Sequence, residues 1–369
     1  MSARHLYVHL PFCSSRCGYC DFVTVVGGHE EHGRYVDALR RELELERSVL
    51  APQLDSVFLG GGTPSFTEGS SLRRLLAALP GAGEVTVEAN PETVTPALAA
   101  LLLEAGVDRV SLGAQSFERR LLDVLDRVAS ADDVRRAFYH LRDAGFDNIS
   151  LDLLYGIPGQ EPADLERDLA EALSLGPDHI SAYELEAKPG TRFTHAHGAE
   201  LERQAESMES YVEIVVETLT GAGYRWYETA NFCLPAEAAG GRDLRARHNL
   251  GYWLGRDYLG LGVGAVSTID NCRVRNAPSL PRYLAALERV ERPPREVEEL
   301  SVDVRRVERL MLGLRLDEPL LLAEVASAVD HGELERLVDL GLVLNESGQL
   351  RLTPRGRLLG GGVTARLLA

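Results

Sequence analysis

Short apolar runs alternate with longer amphipathic stretches through the first half of this 369-residue chain. The short runs are rich in β-branched residues and predict strands, and the stretches between them carry apolar residues at helical spacing. The predicted strands are HLYVHL, LDSVFL, EVTVEA, VDRVSL, NISLDLL and HISAYEL, and the predicted helices lie near residues 30–50, 69–79, 95–105, 131–144 and 162–175. Strands that alternate with helices predict a parallel sheet with right-handed crossovers.

Six such units are fewer than the eight that close a TIM barrel. We therefore expect an α/β fold in which residues 1–190 form a partial (β/α)6 TIM-like barrel. An open, doubly wound sheet would give much the same pattern and is the alternative.

The regular pattern stops near residue 190. An acidic helix around residues 200–222, the segments YRWYETANF and RHNLGYW, and a glycine-rich strand-and-turn stretch predict an α+β extension over residues 191–292. The segment PPREVEEL, which starts at residue 293, resembles a linker. Residues 293–369 predict a small C-terminal helical, winged-helix-like domain with a hairpin around Glu346–Gln349.

The charge balance and the hydropathy pattern exclude several classes of protein. The chain has 56 acidic and 39 basic residues, a net charge of −17, whereas a nucleic-acid partner requires clustered cations. No apolar run approaches the roughly 20 residues that span a bilayer, and the first residues lack the apolar core of a signal peptide. We therefore expect a cytoplasmic protein with reduced thiols that binds no nucleic acid and is not an integral membrane protein.

Three of the five cysteines, Cys13, Cys17 and Cys20, stand close together in the stretch PFCSSRCGYCDF. A disulfide clip would leave one of them unpaired, in a reducing compartment. Structural zinc takes four ligands, and the fourth could come from His9 or from a distant residue. Three thiolates on a cube of four irons would leave one iron open to another ligand. The spacing favours the iron–sulfur cluster, and zinc is the alternative.

The pattern CxxxCxYC after the first strand of a βα repeat resembles the radical S-adenosylmethionine (radical SAM) superfamily. The resemblance implies a [4Fe-4S] cluster on Cys13, Cys17 and Cys20, with S-adenosylmethionine on the open iron. It also implies a low-potential electron donor, whose electron cleaves the sulfonium to a 5′-deoxyadenosyl radical.

Polar residues follow successive predicted strands, where the active sites of barrels lie. The stretch GGGTP follows LDSVFL, and glycines there let backbone amides approach a small charged group. The resemblance implies that S-adenosylmethionine contacts Tyr7, Tyr19, Gly61, Gly62, Thr63, Glu88, Gln115, Arg127 and Asp152. One position departs from the pattern, because relatives usually carry a histidine where this chain has Ala129.

The segments YVHLPFC, GGGTPS, ANPE, GAQSF, DLLYGIPGQ and GVGAVS, in this order, resemble the oxygen-independent coproporphyrinogen III oxidase family over residues 4–360. Members that decarboxylate coproporphyrinogen carry a further cysteine where this chain has Phe22, and a longer segment before the first strand. The motif HNxxYW, which starts at His248, is typical of the subgroup of HemW-type heme chaperones.

This resemblance predicts a protein that binds heme and transfers it to an acceptor hemoprotein, such as a respiratory one. Imidazole is a common axial ligand of heme iron, and flat aromatic rings suit a porphyrin. We therefore expect His248, Asn249, Tyr252 and Trp253 to contact heme. The alternative is a coproporphyrinogen III dehydrogenase that makes protoporphyrinogen IX by radical oxidative decarboxylation, and no catalytic residue is assigned. Apolar faces on the acidic helix and the C-terminal domain make a homodimer a further expectation.

Overall fold

The computed structural model describes residues 2–188 and 192–369. Its main sheet contains the six predicted strands, all parallel and paired in chain order. They are His5–Leu10, Ser56–Gly61, Val85–Ala89, Arg109–Gln115, Ile149–Tyr155 and His179–Glu184. In the part of the chain that is described, the sheet has two separate edges, so the predicted partial barrel is open.

The predicted helices of the first half are confirmed. They are His32–Glu46, Gly69–Leu76, Pro96–Glu104, Ala131–Ala144 and Pro162–Leu175, with a further short helix at Arg119–Val124. Short 3-10 helices lie at His29–Glu31, Arg47–Val49, Pro64–Phe66 and Pro91–Thr93. Local sequence explains the helix ends: Ser130 and Asp133 form a reciprocal capping box, and Gly145 ends the same helix with φ 109°.

The sheet continues beyond the barrel at both edges to 12 strands. Asn231–Cys233 and Arg225–Glu228 extend one edge, and Tyr258–Leu261, Val266–Ile269, Cys272–Asn276 and Arg295–Glu299 extend the other. The prediction that 293–300 is a linker is wrong, because Arg295–Glu299 pairs with Cys272–Asn276 as an edge strand. Glu42 ties this edge to the barrel, since its carboxylate accepts hydrogen bonds from Asn276 and Tyr283.

The acidic region expected as one helix forms two, Arg192–Ala205 and Met208–Gly221. Tyr211, Val215 and Leu219 of the second helix are buried in the main hydrophobic core. The apolar face of this helix therefore packs inside the chain, and it does not support the predicted homodimer. Two more helices, Arg247–Trp253 and Leu280–Glu288, and the short strand pair Phe12–Cys13 and Val25–Val26 complete this part.

The C-terminal segment has a hydrophobic core of its own. It contains the helices Val302–Gly313, Leu322–Val325, His331–Asp339, Pro354–Leu358 and Gly360–Leu367, a 3-10 turn at Ala326–Ala328, and the strands Leu320–Leu321, Val343–Glu346 and Gln349–Leu352. The last two strands pair antiparallel, which confirms the predicted hairpin. Within the described residues, no helix combines the length and the apolar character that crossing a membrane requires.

Candidate functional site

Cys13, Cys17 and Cys20 line one cavity of about 340 Å3, which we call the cysteine cavity. Cys13 ends the short strand Phe12–Cys13 and is buried, whereas the other two cysteines are partly exposed. A backbone hydrogen bond of 3.2 Å from Cys20 N to Cys17 O tightens the loop between them. All five cysteines of the chain are free thiols.

Eight of the nine residues that the resemblance assigns to S-adenosylmethionine line the same cavity. They are Tyr19, Gly61, Gly62, Thr63, Glu88, Gln115, Arg127 and Asp152. Parallel strands end at one edge of a sheet, and residues far apart in the chain therefore meet there. The fold brings these side chains together, and their individual binding roles stay a prediction.

Tyr7 is the residue that the structure leaves outside the cysteine cavity. Its hydroxyl lies 3.0 Å from His9 Nδ1, and its ring stacks on Phe58 with 6.2 Å between the ring centroids. It lines a neighbouring groove together with Tyr252. Desolvation, helped by the charge of Glu88, raises the pKa of Tyr7, so Tyr7 lies near this predicted cofactor contact without lining the cysteine cavity.

Arg127 places a buried guanidinium beside the cysteine loop. Its Nη1 lies 3.5 Å from Cys17 Sγ, and its Nη2 donates to Asn90 Oδ1 at 3.1 Å and to Gly113 O at 2.8 Å. Its Nε is buried and has no hydrogen-bond partner among the described residues. An unsatisfied buried donor is costly unless a ligand or water meets it, so this cation suits a polar ligand. Ala129 is buried.

Glu88 and Asp152 line the cavity as two carboxyl groups with raised pKa values. Desolvation, helped by the charge of Asp152, raises the pKa of Glu88 to about 7, against a 3.2 Å hydrogen bond from Gly61 N. Desolvation also raises the pKa of Asp152, while hydrogen bonds from Ser181 and Ser111 oppose that shift. Carboxyl groups of this kind suit contacts with the hydroxyl and amine groups of a ligand.

Gln115 stands at an irregular end of its strand. Its φ of 65° lies in the left-handed region, where the register with the next strand shifts between Gly113 and Gln115. Such a conformation costs a non-glycine residue about 1–3 kcal/mol and occurs often at ligand sites. The strand therefore ends, after its register shift, at Gln115, which lines the cysteine cavity.

Packing within the chain requires glycine in the GGGTP stretch, and the predicted ligand contact of these glycines stays a prediction. A Cβ on Gly61, whose φ is 108°, would lie 2.4 Å from the His9 ring, and one on Gly62 would lie 2.6 Å from the Pro11 carbonyl carbon. Glycine therefore lets this loop pack against the first strand, whether or not a ligand is bound.

Sequence reasoning missed Asn90 and Ser111, which also line the cysteine cavity. Asn90 Nδ2 donates to Thr63 Oγ1 at 3.1 Å, and the Ser111 hydroxyl donates to Asp152 Oδ2 at 2.9 Å. Asn90 could have been predicted as a site residue, because it directly follows a predicted strand, as the other polar site residues do. Ser111 carried no signal of its own, since a serine inside a strand is ordinary.

The donor set fits the cluster that the resemblance implies. Each cysteine of a [4Fe-4S] cluster binds a different iron, so three thiols around one cavity need not converge on a single point. His9, the named candidate for a fourth zinc ligand, has both ring nitrogens engaged: Nδ1 contacts the Tyr7 hydroxyl and Nε2 contacts Val23 O at 2.8 Å. Over residues 2–188 and 192–369, no group of three His, Cys, Asp or Glu residues is arranged for one metal ion.

The HNxxYW motif lies on the helix Arg247–Trp253, next to the first strand. His248 is 1% exposed, and its Nδ1 lies 2.9 Å from Ser56 Oγ while its Nε2 lies 3.0 Å from the Tyr252 hydroxyl. Desolvation lowers the pKa of His248 to about 3, so the ring is neutral. Both ring nitrogens are engaged, and neither is open to a metal in this arrangement.

The other residues of the motif are more accessible than His248. Asn249, Tyr252 and Trp253 are each partly exposed. Tyr252 lines a groove of about 300 Å3 with Tyr7, Tyr258 and Phe22, which we call the tyrosine groove. The Trp253 ring is covered on one face by the guanidinium of Arg315, whose Cζ lies 4.4 Å from the ring centroid.

Two family models match the chain. One, described as the radical SAM superfamily, covers residues 7–172, and the other, described as the HemN C-terminal domain, covers residues 300–359. Among solved structures, coproporphyrinogen III oxidase (HemN) from Escherichia coli matches 99% of this chain and 90% of its own, with a TM-score of 0.79. At 24% identity, that match supports the predicted fold alone.

Curated relatives are similar over most of the chain. Heme chaperone HemW from Mycobacterium tuberculosis H37Rv is 38% identical over 98% of this chain and 94% of its own length. Heme chaperone HemW from Bacillus subtilis is 33% identical over 98% of both, and that from Escherichia coli K12 is 34% identical over 70% of this chain and 68% of its own. The chain therefore belongs to the heme chaperone HemW family, within the radical SAM superfamily.

Proposed function

We propose that this chain binds heme and transfers it to an acceptor hemoprotein. The relatives from Mycobacterium tuberculosis and Bacillus subtilis, at 38% and 33% identity, carry the name heme chaperone. Membership in the radical SAM superfamily implies a [4Fe-4S] cluster and S-adenosylmethionine. We place both in the cysteine cavity.

Cys13, Cys17 and Cys20 hold the cluster, which when bound supplies electrons for the reductive cleavage of S-adenosylmethionine. The free Nε of Arg127 donates to the bound cofactor, and its buried position keeps water from competing for that contact. Glu88, Gln115 and Asp152 orient polar groups of the cofactor from the neighbouring strand ends.

The adjacency of two cavities carries the proposal. Asp21 and Phe22 line both the cysteine cavity and the tyrosine groove. Phe22 is 59% exposed, and it stands where the decarboxylating relatives have their further cysteine. The aromatic walls of the groove suit a flat porphyrin, and their position next to the cluster loop couples heme binding to the cysteine cavity.

Tyr252 forms the first heme contact in this proposal, because its ring lines the groove. His248 lies behind it and reaches the iron only after the Tyr252 hydroxyl releases Nε2. Asn249 and Trp253 lie on the same helix, and we assign them a part in heme binding although neither lines the tyrosine groove.

The partners follow from this chemistry. Heme transfer requires an acceptor hemoprotein, and the cluster requires a low-potential electron donor. Free thiols in the cysteine loop are consistent with the cytoplasm, and the net charge of −17 disfavours nucleic acid. A homodimer stays a proposal that now rests on the C-terminal segment, where Val302, Leu321 and Leu340 are exposed.

The proposal is tested by anaerobic purification, cluster reconstitution and titration with heme. We expect stoichiometric binding that weakens in His248→Ala and is unchanged in His331→Ala, a control on an exposed helix start. Each protein is also incubated with coproporphyrinogen III, S-adenosylmethionine and a reductant, and we expect no vinyl product. Vinyl product without tight heme binding would overturn the proposal in favour of the dehydrogenase.

A further inference from the structure

A second cavity lies between the parallel sheet and the C-terminal segment, and we call it the arginine cavity. Its volume is about 490 Å3, larger than that of the cysteine cavity. Tyr155 and Glu184 from the ends of two barrel strands line one part of it, and Arg357 with its neighbours lines another. The volume lies within the range of roughly 300–1,000 Å3 that small-molecule sites occupy.

Arg357 brings to this cavity a guanidinium with two unsatisfied nitrogens. Its Nη1 donates to Trp226 O at 2.8 Å, and its Cζ lies 3.7 Å from the centroid of the Trp226 ring. Its Nε and Nη2 are buried without a hydrogen-bond partner among the described residues. Desolvation lowers the pKa of Arg357 to about 10, which reflects the cost of this placement. Buried donors of this kind are normally met by an acceptor.

Arg315 lines the same cavity and provides a contrast within the same protein. Its Nε donates to Glu228 Oε1 at 2.6 Å, while its Cζ lies over the Trp253 ring. An arginine therefore lies over the ring of each of the two tryptophans. Arg315, over Trp253, also forms a salt bridge with the carboxylate of Glu228. Asp317 and Glu228 are close enough for their charges to raise the pKa of Arg357, but they pair with Arg225 and Arg315 and do not hydrogen-bond to its Nε or Nη2. An acceptor for these two nitrogens is left to a ligand.

The other residues that line the arginine cavity indicate the remaining chemical groups of such a ligand. Apolar side chains make up much of the lining, among them Val212, Met311, Leu314, Leu352, Leu358 and Leu368. Glu184 and Glu209 also line the cavity, so a ligand that is anionic over its whole surface would be repelled. The helix Gly360–Leu367 begins at the cavity without a side-chain cap, which favours an anionic group there.

We propose that the arginine cavity binds an amphipathic carboxylate, whose carboxylate group pairs with Arg357 while its apolar body packs on Trp226 and the aliphatic walls. Two sources share this chemistry: the propionates of a tetrapyrrole and the head group of a long-chain fatty acid. The site shares no lining residue with the cysteine cavity or the tyrosine groove, so it is a separate site.

The test uses calorimetric titration of the full chain with metal-free protoporphyrin IX and, separately, with palmitate. Protoporphyrin IX has no iron, so its binding does not depend on ligation by His248, and the Arg357 variant distinguishes the arginine cavity from the tyrosine groove, which shares no lining residue with it. We expect one of the two acids to bind, and Arg357→Gln to weaken it about tenfold or more, because a charge-assisted contact is lost. Arg355→Gln, an exposed change two residues away, leaves the affinity unchanged.

The methyl ester of the acid that binds gives a readout that needs no substitution. We expect the ester to bind the unaltered chain about tenfold more weakly, since it lacks the anionic oxygen. Binding of protoporphyrin IX identifies the tetrapyrrole source, and binding of palmitate identifies the fatty acid. Absence of binding by both acids, equal affinity of acid and ester, or equal affinity of Arg357→Gln and the unaltered chain would each overturn the inference.

Discussion

The imidazole Nε2 of His248 lies 3.0 Å from the hydroxyl oxygen of Tyr252, one helical turn away. On the other side of the ring, Nδ1 lies 2.9 Å from Ser56 Oγ. Both nitrogens are therefore engaged inside the chain. Because Tyr252 also lines the tyrosine groove, its phenol stands between the groove and the nitrogen that a heme iron would need.

Removing that hydroxyl exposes His248 to a ligand. We expect Tyr252→Phe to increase the fraction of bound heme that is ligated by histidine, because Nε2 loses its partner and an unsatisfied buried nitrogen costs about 1–3 kcal/mol. Soret and charge-transfer absorption during heme titration measure this fraction. Tyr139→Phe, which removes a hydroxyl from a side chain that is 54% exposed, is the matched control. Identical spectra for Tyr252→Phe and the unaltered chain would contradict the proposed ligation by His248.

Arg127 is predicted to hold the cofactor and to support the cysteine loop. Arg127→Met leaves Asn90 Oδ1 and the Gly113 carbonyl without their donor. We expect S-adenosylmethionine to bind about tenfold more weakly, since a charge-assisted hydrogen bond is lost. Calorimetry on the reconstituted protein measures the affinity, and absorbance near the cluster band measures iron loading. Arg119→Met, on an exposed helix, serves as the control, and equal affinity in the two variants would argue against a cofactor contact by Arg127.

Local sequence patterns were sufficient to predict the barrel strands and the convergence of Glu88, Gln115 and Asp152. The β-branched runs and the capping residues act within a few positions, and parallel strand ends meet by geometry. The contact between His248 and Tyr252 was also within reach, since residues four apart share a helix face. The motif predicted a heme contact for His248, and that prediction did not include this internal partner.

Features that depend on tertiary pairing escaped prediction. Arg295–Glu299 has the charged composition of a linker, yet as an edge strand it exposes most of its side chains and pairs on one side only. Tyr7 lies on a barrel strand near the cysteine loop, but its ring lines the neighbouring groove. The burial of Arg357, whose Nε and Nη2 lack a hydrogen-bond partner among the described residues, depends on packing against residues more than a hundred positions away, such as Trp226.

Glu42 is predicted to be a main anchor of the sheet extension. Its carboxylate is 0% exposed and accepts hydrogen bonds from Gly262 N at 2.8 Å, Asn276 Nδ2 at 2.7 Å and the Tyr283 hydroxyl at 2.7 Å. We expect Glu42→Leu to lower the free energy of unfolding by about 3–5 kcal/mol, because these donors and the guanidinium of Arg295 lose their partner. Urea unfolding followed by circular dichroism measures the change.

Glu44→Leu is the control for Glu42, because Glu44 lies on the same helix with an exposed side chain. We expect a change within about 0.5 kcal/mol for this surface position. If both variants unfolded at the same urea concentration, the buried carboxylate would contribute no more than a surface one, and the anchoring role would be wrong.

The ionisation of Glu88 and that of His248 are predicted to change the free energy of unfolding with pH in opposite directions. Burial raises the pKa of Glu88 in the folded state to about 7. Between this value and the lower pKa of Glu88 in the unfolded chain, the folded state binds more protons than the unfolded state. Acidification through this range therefore stabilises the fold. Burial lowers the pKa of His248 to about 3, so below its unfolded pKa of about 6.5 the unfolded state binds more protons, and acidification destabilises the fold.

Urea unfolding of the metal-free, reduced protein at about pH 7.5 and about pH 5.5 separates the two contributions. On acidification, we expect Glu88→Gln to lose stability relative to the unaltered chain and His248→Gln to gain it, each by at most about 1.4 kcal/mol per pH unit. His331→Gln, at an exposed position, should follow the unaltered chain. Since the two variants are expected to diverge in opposite directions, a shift of both in the same direction would show that burial does not control these pKa values.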